Sequence, residues 1–230
     1  MTRQILAVVT VGSVAVGLML ANKKQSGESA PFERATVYFE QNATDEDAEV
    51  VFEADTGDLG LASLKVVSPD GRTIIDFKAP NSKLAIRHFR FESPELENDG
   101  IVQADFPEGE YTFTGTTVTG VKLHGNATLS HKLPDTASVI KPAPDEDGVP
   151  IKGLEITWSP VKNLAAYIVT IEQEELAHAI SARLPATVTT FAVPDGFLIP
   201  QTEYKLAIGT VTKDGNTSFV ETSFTTAATD

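Results

Sequence analysis

Four histidines stand in the chain, His88, His124, His131 and His178, and none pairs with another at the close spacing of a zinc motif. His124 and His131 fall at the two ends of one expected strand and read as exposed strand residues. Three acidic runs, Asp45-Glu46-Asp47, Asp55-Thr56-Gly57-Asp58 and Asp145-Glu146-Asp147, offer the oxygen ligands that calcium takes. None alternates them as a calcium loop does, so they read as solvated loops. A carboxylate pair for glycoside hydrolysis needs only proximity in space, and among 32 Asp and Glu some pair is expected by chance. There is no Gly-x-Ser-x-Gly elbow and no cysteine, which removes an acyl-transfer serine on an elbow, thiol catalysis, disulfides, cysteine zinc sites and iron–sulfur clusters. No catalytic, cofactor or metal residue is assigned, and the chain reads as non-enzymatic. Asn42-Ala43-Thr44, Asn126-Ala127-Thr128 and Asn216-Thr217-Ser218 are glycosylation sequons, meaningful only in a eukaryotic secretory pathway.

One strip could bind a partner. Lys83-Leu84-Ala85-Ile86-Arg87-His88-Phe89-Arg90-Phe91 gathers basic and titratable side chains in a protein dominated by acids. On a strand, Leu84, Ile86, His88 and Arg90 share one face, and Lys83, Arg87 and Phe89 share the other. Neither face is cleanly apolar. Lys83, Arg87, His88, Phe89 and Arg90 are therefore the candidate partner-binding residues, suited to an acidic glycan or an acidic protein surface. The competing reading pairs Arg87 and Arg90 with nearby carboxylates such as Glu92 and Glu95.

The elements that would position such residues are short strands. Thr36–Glu40, Glu49–Glu53, Ser63–Val67, Thr73–Lys78, Leu84–Phe91, Ile101–Phe106, Glu110–Thr117 and Val121–Lys132 are rich in Val, Ile, Thr, Phe and Tyr. Turn sequences such as Ser68-Pro69-Asp70-Gly71 and Pro107-Glu108-Gly109-Glu110 separate them. Repeated short strands at this spacing predict an antiparallel sandwich. The formal charge of -14 excludes nucleic acid as a partner, because phosphate binding needs clustered Lys and Arg. Before the strands, Met1–Gln4 carries one Arg and Ile5–Ala21 carries no charge, the pattern of a secretory signal. As a helix that run reaches roughly 25 Å, short of a bilayer core about 30 Å thick. Residues 1–30 are expected to be a cleaved signal or an uncleaved N-terminal anchor, the only route to a membrane. Either places the rest in the periplasm, at the cell surface or outside the cell.

Residues 31–134 and 135–230 are expected to be separate domains. Between them Pro142-Ala143-Pro144-Asp145-Glu146-Asp147-Gly148-Val149-Pro150 is stiff and solvated, and reads as a first strand interrupted by prolines. In the second domain, Leu154, Ile156 and Trp158 alternate onto one face. Ala166-Tyr167-Ile168-Val169-Thr170-Ile171 follows, then Leu198-Ile199-Pro200-Gln201-Thr202-Glu203-Tyr204 and a closing run over Val220–Thr226. This pattern resembles the fibronectin type III family, which has a Trp late in its second strand, a Tyr opening its third, and Leu-x-Pro-x-Thr-x-Tyr leading into its sixth. Trp158, Tyr167, Leu198, Pro200, Thr202 and Tyr204 take those positions, over about residues 136–228. They are assigned to the structural core and corner. Lys213-Asp214-Gly215-Asn216 reads as a hairpin turn. In the first domain Phe106 to Thr114 resembles, over a short stretch, a hairpin of bacterial immunoglobulin-like domains.

The expected architecture is all-β, with two tandem immunoglobulin-like or fibronectin type III sandwiches. The resemblance implies a non-catalytic role in binding, adhesion or spacing at a cell envelope or beyond it. The alternatives are an accessory of a carbohydrate-active or other secreted enzyme system, and an assembly subunit that pairs strand edges.

Overall fold

The computed structural model describes residues 29–79, 85–95, 99–173 and 175–228, so residues 1–28 of the expected signal or anchor lie outside the described residues. Ser29 and Ala30 already belong to the first strand of the fold, which moves that boundary back. Among those described, no helix is long and apolar enough to cross a membrane. Among the described residues the regular structure is almost wholly β.

The first sandwich packs a five-stranded sheet against a short one. The five are β1 (Ser29–Pro31), β4 (Leu61–Val67), β5 (Thr73–Lys78), β7 (Gly109–Thr117) and β8 (Lys122–Leu129), in the order β1-β8-β7-β4-β5. Facing them are β2 (Arg34–Asn42), β3 (Asp47–Asp55) and β6 (His88–Glu92). Strict alternation drives the packing. Val37 and Phe39 of β2, Val50 and Phe52 of β3, and Tyr111 and Phe113 of β7 all point into one core. The Phe52 ring meets those of Phe106 and Tyr111 at 5.9 and 5.6 Å. The Tyr111 hydroxyl donates back to the Pro107 carbonyl at 3.0 Å, fixing the turn that the Pro107–Glu110 sequence predicts.

Three sequence expectations change here. Ile101–Phe106 is not a strand: Asp99–Asp105 forms a short helix, α1. Val102 is buried and Phe106 N–H donates to its carbonyl at 2.9 Å, so the apolar pair spaced by four satisfies one helical face. Leu84–Phe91 is not one strand either. Ala85 has φ 43°, which breaks extension, and only His88–Glu92 joins β3. Val121–Lys132 stops pairing at Leu129, where the chain leaves for the second sandwich.

In the second sandwich β9 (Val139–Lys141), β11 (Glu155–Trp158) and β14 (Thr190–Ala192) form a three-stranded sheet, ordered β14-β11-β9. Opposite it lie β12 (Ala166–Gln173), β13 (His178–Pro185), β15 (Glu203–Val211) and β16 (Thr217–Thr226). The proline-rich stretch is the interrupted first strand: β9 pairs with β11, then β10 (Glu146–Val149) crosses over to pair with β16. Counting β9 and β10 as one strand, Trp158 ends the second strand, and Tyr167 and Tyr204 stand second in the third and sixth. Residues 136–228 thus have the fibronectin type III-like fold that the resemblance implied. His178–Pro185 forms a regular edge strand, β13, paired along β12.

The two sandwiches have separate apolar cores but not separate sheets. β2 runs parallel to β16, with Glu40, Gln41 and Asn42 opposite Thr217, Ser218 and Phe219. A single sheet, β13-β12-β15-β16-β2-β3-β6, therefore crosses the junction.

Candidate partner-binding face

The structure first disperses the strip expected to bind a partner. Lys83 lies outside the described residues. Arg87 pairs with Asp58 at 3.3 Å, and the His88 ring approaches Asp55 at 3.3 Å. Phe89 is buried, its ring 4.6 Å from Phe77 and stacked on Phe91, so it belongs to the core and is not available as a contact residue. Arg90 lies over the Tyr38 ring at 5.9 Å, donates to the Tyr38 hydroxyl and to Glu92, and pairs with Glu53 at 3.5 Å and Glu40 at 3.9 Å. Burial opposes its charge, but bonding to Glu92 and the surrounding carboxylates hold its pKa above the ordinary range.

Arg90 leads to a larger face. Residues of β2 and β3 that alternate away from the core, Tyr38, Glu40, Glu49 and Glu53, line one side of the continuous sheet, and register sets Glu40 directly opposite Glu49. Across the junction the same side continues through Phe219 and Glu221 of β16, Lys205 and Ala207 of β15, and Thr170 and Glu172 of β12. Phe219 can lie flat there because its partner is Gly209; a Cβ at Gly209 would meet the ring at 2.5 Å. Two hollows, about 340 and 580 Å³, meet along this face and share Glu40, Thr170 and Phe219. The smaller is acidic, with Asp45, Asp47 and Glu95 at its rim. The larger is mixed, with Arg34, Arg90 and Arg183 beside Glu53 and Asp214.

Burial shapes the protonation of this face. It pushes the Glu49 carboxyl up to about 7, helped by the charges of Glu92, Glu40 and Glu95. It raises Glu40 as well, against the pull of Arg90, and carries the Tyr38 phenol to about 12. Glu49 is 7% exposed. Nothing in the alternation of Glu49–Glu53 distinguishes it from an ordinary outward carboxylate, because the elements that cover it come from elsewhere in the chain.

Asn216, expected as a turn residue and a sequon, fastens the junction. The hairpin it ends needs Gly215 at φ 99°. Its side-chain oxygen accepts from Phe39 N–H at 2.9 Å, and its amide donates to the Ser130 and Lys132 carbonyls at 2.7 and 3.0 Å. Ser218 and Thr210 hydroxyls donate to the Pro134 and Asp135 carbonyls at 3.1 and 2.9 Å. Ala43 N–H donates to the Phe219 carbonyl at 2.9 Å, and Glu221 N–H to the Thr44 hydroxyl at 2.8 Å. At 2% exposure Asn216 is closed to glycosylation, whereas Asn126 is exposed on β8.

The remaining assigned residues sit at the core and corner of the second sandwich. Trp158 is buried, 5.4 Å from the Tyr167 ring, and among the described residues its indole N–H has no acceptor. The Tyr167 hydroxyl accepts from Val161 N–H at 2.7 Å. Ile199 N–H donates to the Tyr204 hydroxyl at 3.0 Å and Thr202 donates to the Pro200 carbonyl at 3.0 Å, which ties Leu198–Thr202 to β15. Of the other histidines, His131 bonds the Phe106 carbonyl at 2.8 Å and His178 packs on Phe197. Among the described residues no three His, Asp or Glu converge to hold a metal ion.

No family model and no curated protein matches the chain. Among solved structures, the two fibronectin type III domain segment of chicken tenascin is similar over 86% of this chain and 100% of its own, at 12% identity and a TM-score of 0.33. The fibronectin(III)-like modules of Clostridium thermocellum CbhA are similar over 85% and 91%, at 10% identity and 0.34. The FN1–FN3 domains of chicken CNTN1 are similar over 86% of this chain and 65% of theirs, at 13% and 0.32. This chain spans a little under two thirds of that last segment. The fold assignment stands on strand order and core positions rather than on these likenesses.

Proposed function

We propose that this chain is a non-catalytic binding or structural module that works outside the cytoplasm as two sandwiches held in one fixed relation. The observation that carries the reading is the junction. A flexible tether would leave the residues between β8 and β9 solvated. Here three side chains of the β15–β16 hairpin grip their carbonyls, and the sheet runs on across the boundary. Such a joint transmits orientation, which a spacer or a two-part binding face requires and a string of independent domains does not. The apolar, uncharged run Ile5–Ala21 supports export. Residual dipolar couplings measured on the full chain test the joint. One alignment tensor should fit β2–β8 and β11–β16 together, and two independently averaged tensors would overturn the reading. Recovery of the protein only from cytosol would overturn its placement.

A further inference from the structure

The sheet that crosses the junction ends at β13, and among the described residues no strand pairs with its far side. The other edges are blunted. A register shift interrupts β5, which also carries Asp76 and Lys78. β6 has five residues, with His88, Arg90 and Glu92 among them. β10 is acidic and its register shifts, and β1, β9 and β14 have three residues each. Shortness, charge and interrupted pairing keep an edge from templating a further strand. β13 lacks this protection: its eight residues pair along β12 with no register shift, and Arg183 is its one fixed charge. Alternate backbone N–H and C=O groups of such a strand turn away from its neighbour. Ile180 and Leu184 pack on the second core, and exposed Leu176 stands just ahead of the strand.

We propose that β13 pairs antiparallel with β13 of a second copy of this chain, joining two sheets into one across a twofold axis. A twofold-related edge is its own complement, so no other surface has to match it. The strand itself selects the register. Pro185 lacks the N–H that a ladder needs, which confines pairing to residues 178–184 and centres it on Ser181. Residues opposite one another then share a face, as the pleat requires. Ser181 meets the copy's Ser181, and Ile180 meets the copy's Ala182. On the exposed face the copy's Arg183 falls opposite Ala179, whose partner on β12 is Glu172. Strands lie about 4.8 Å apart, so an Arg and a Glu two strands apart can meet over so small a side chain. Symmetry forms this pair twice, and within its own chain Arg183 has no ion pair among the described residues. β13 lies away from the junction, so the dimer and the fixed relation of the two sandwiches stand or fall separately.

The test is sedimentation equilibrium of the full chain over a wide range of concentration, where the wild type is expected to pass from monomer to dimer. Ser181 is exposed. Ser181→Lys and Ser181→Glu each set like charges face to face on the axis and should weaken the dimer at least about tenfold. Mixing the two variants sets Lys against Glu at the same point and should restore association to within about threefold of the wild type. A monomer at every concentration would overturn the proposal and leave the edge to an extended strand of another protein. So would a dimer that neither variant weakens, which would place the contact elsewhere, the apolar run Ile5–Ala21 included. Variants with wild-type circular dichroism that weaken association yet fail to recover on mixing would overturn it too, because a self-opposed Ser181 requires that recovery.

Discussion

At the scale of single residues, Glu49 shows how a polar side chain can oppose the fold that holds it. Its pKa stands at about 7 against an ordinary 4.5, with burial the largest cause. The folded chain therefore binds this proton more tightly than the unfolded chain. Stability from Glu49 is present in full below 4.5 and is lost as pH rises through about 7. Glu49→Gln keeps the shape and removes the ionisation. Its melting temperature should match the wild type near pH 4.5 and exceed it at pH 8; parallel pH profiles would show that burial does not perturb this group. Nothing in the local sequence marks Glu49, because strand alternation gives direction but not depth. Trp158, Tyr167 and Tyr204 were legible for the opposite reason. Their types, spacing and order all reflect one local requirement, an aromatic core with a hydroxyl-tied corner.

Elements were legible where a period repeats and illegible where a fold-level contact overrides it. The expected runs of β2, β3, β4, β5 and β7 all lie within the observed strands, which add at most two residues at an end. Helix α1 departs from its expected run, because one buried residue and its partner four places on suffice for a single turn. The parallel pairing of β16 with β2 has no local signal at all: it joins positions on opposite sides of the linker. Asn216 is the element-level key, since its carboxamide serves β2 and the linker together. Asn216→Ala would leave Phe39 N–H and two linker carbonyls without these partners, at a cost of about 1–3 kcal/mol per buried group. The expected outcome is a lower melting temperature together with dipolar couplings that no longer fit one tensor. A stable variant with an unaltered tensor would show that the sheet alone sets the joint.

At the scale of the whole molecule, two cores and one sheet set up a division between stability and orientation. The buried residues of the two cores do not overlap, so damage to one should spare the other. Trp158→Ala should cost about 3–5 kcal/mol, the usual range for removing a large buried aromatic. In amide correlation spectra the second sandwich should lose its dispersion while β2 to β8 keep theirs. Collapse of both sets of resonances would mean that the junction couples the halves into one folding unit.

The grip of Asn216 also bears on how freely such chains can be recombined. Modules that are exchanged between proteins need edges that owe nothing to their neighbours. Here the first sandwich depends on the second for its acceptors: Phe39 N–H, buried on β2, is satisfied by a side chain that belongs to the second. A foreign sandwich spliced after Pro134 would keep the strand order yet lack that carboxamide, and the donor would be stranded at the new boundary. The two halves thus depend on each other at the joint. Any successful transplant must carry the β15–β16 hairpin along with the linker it clasps.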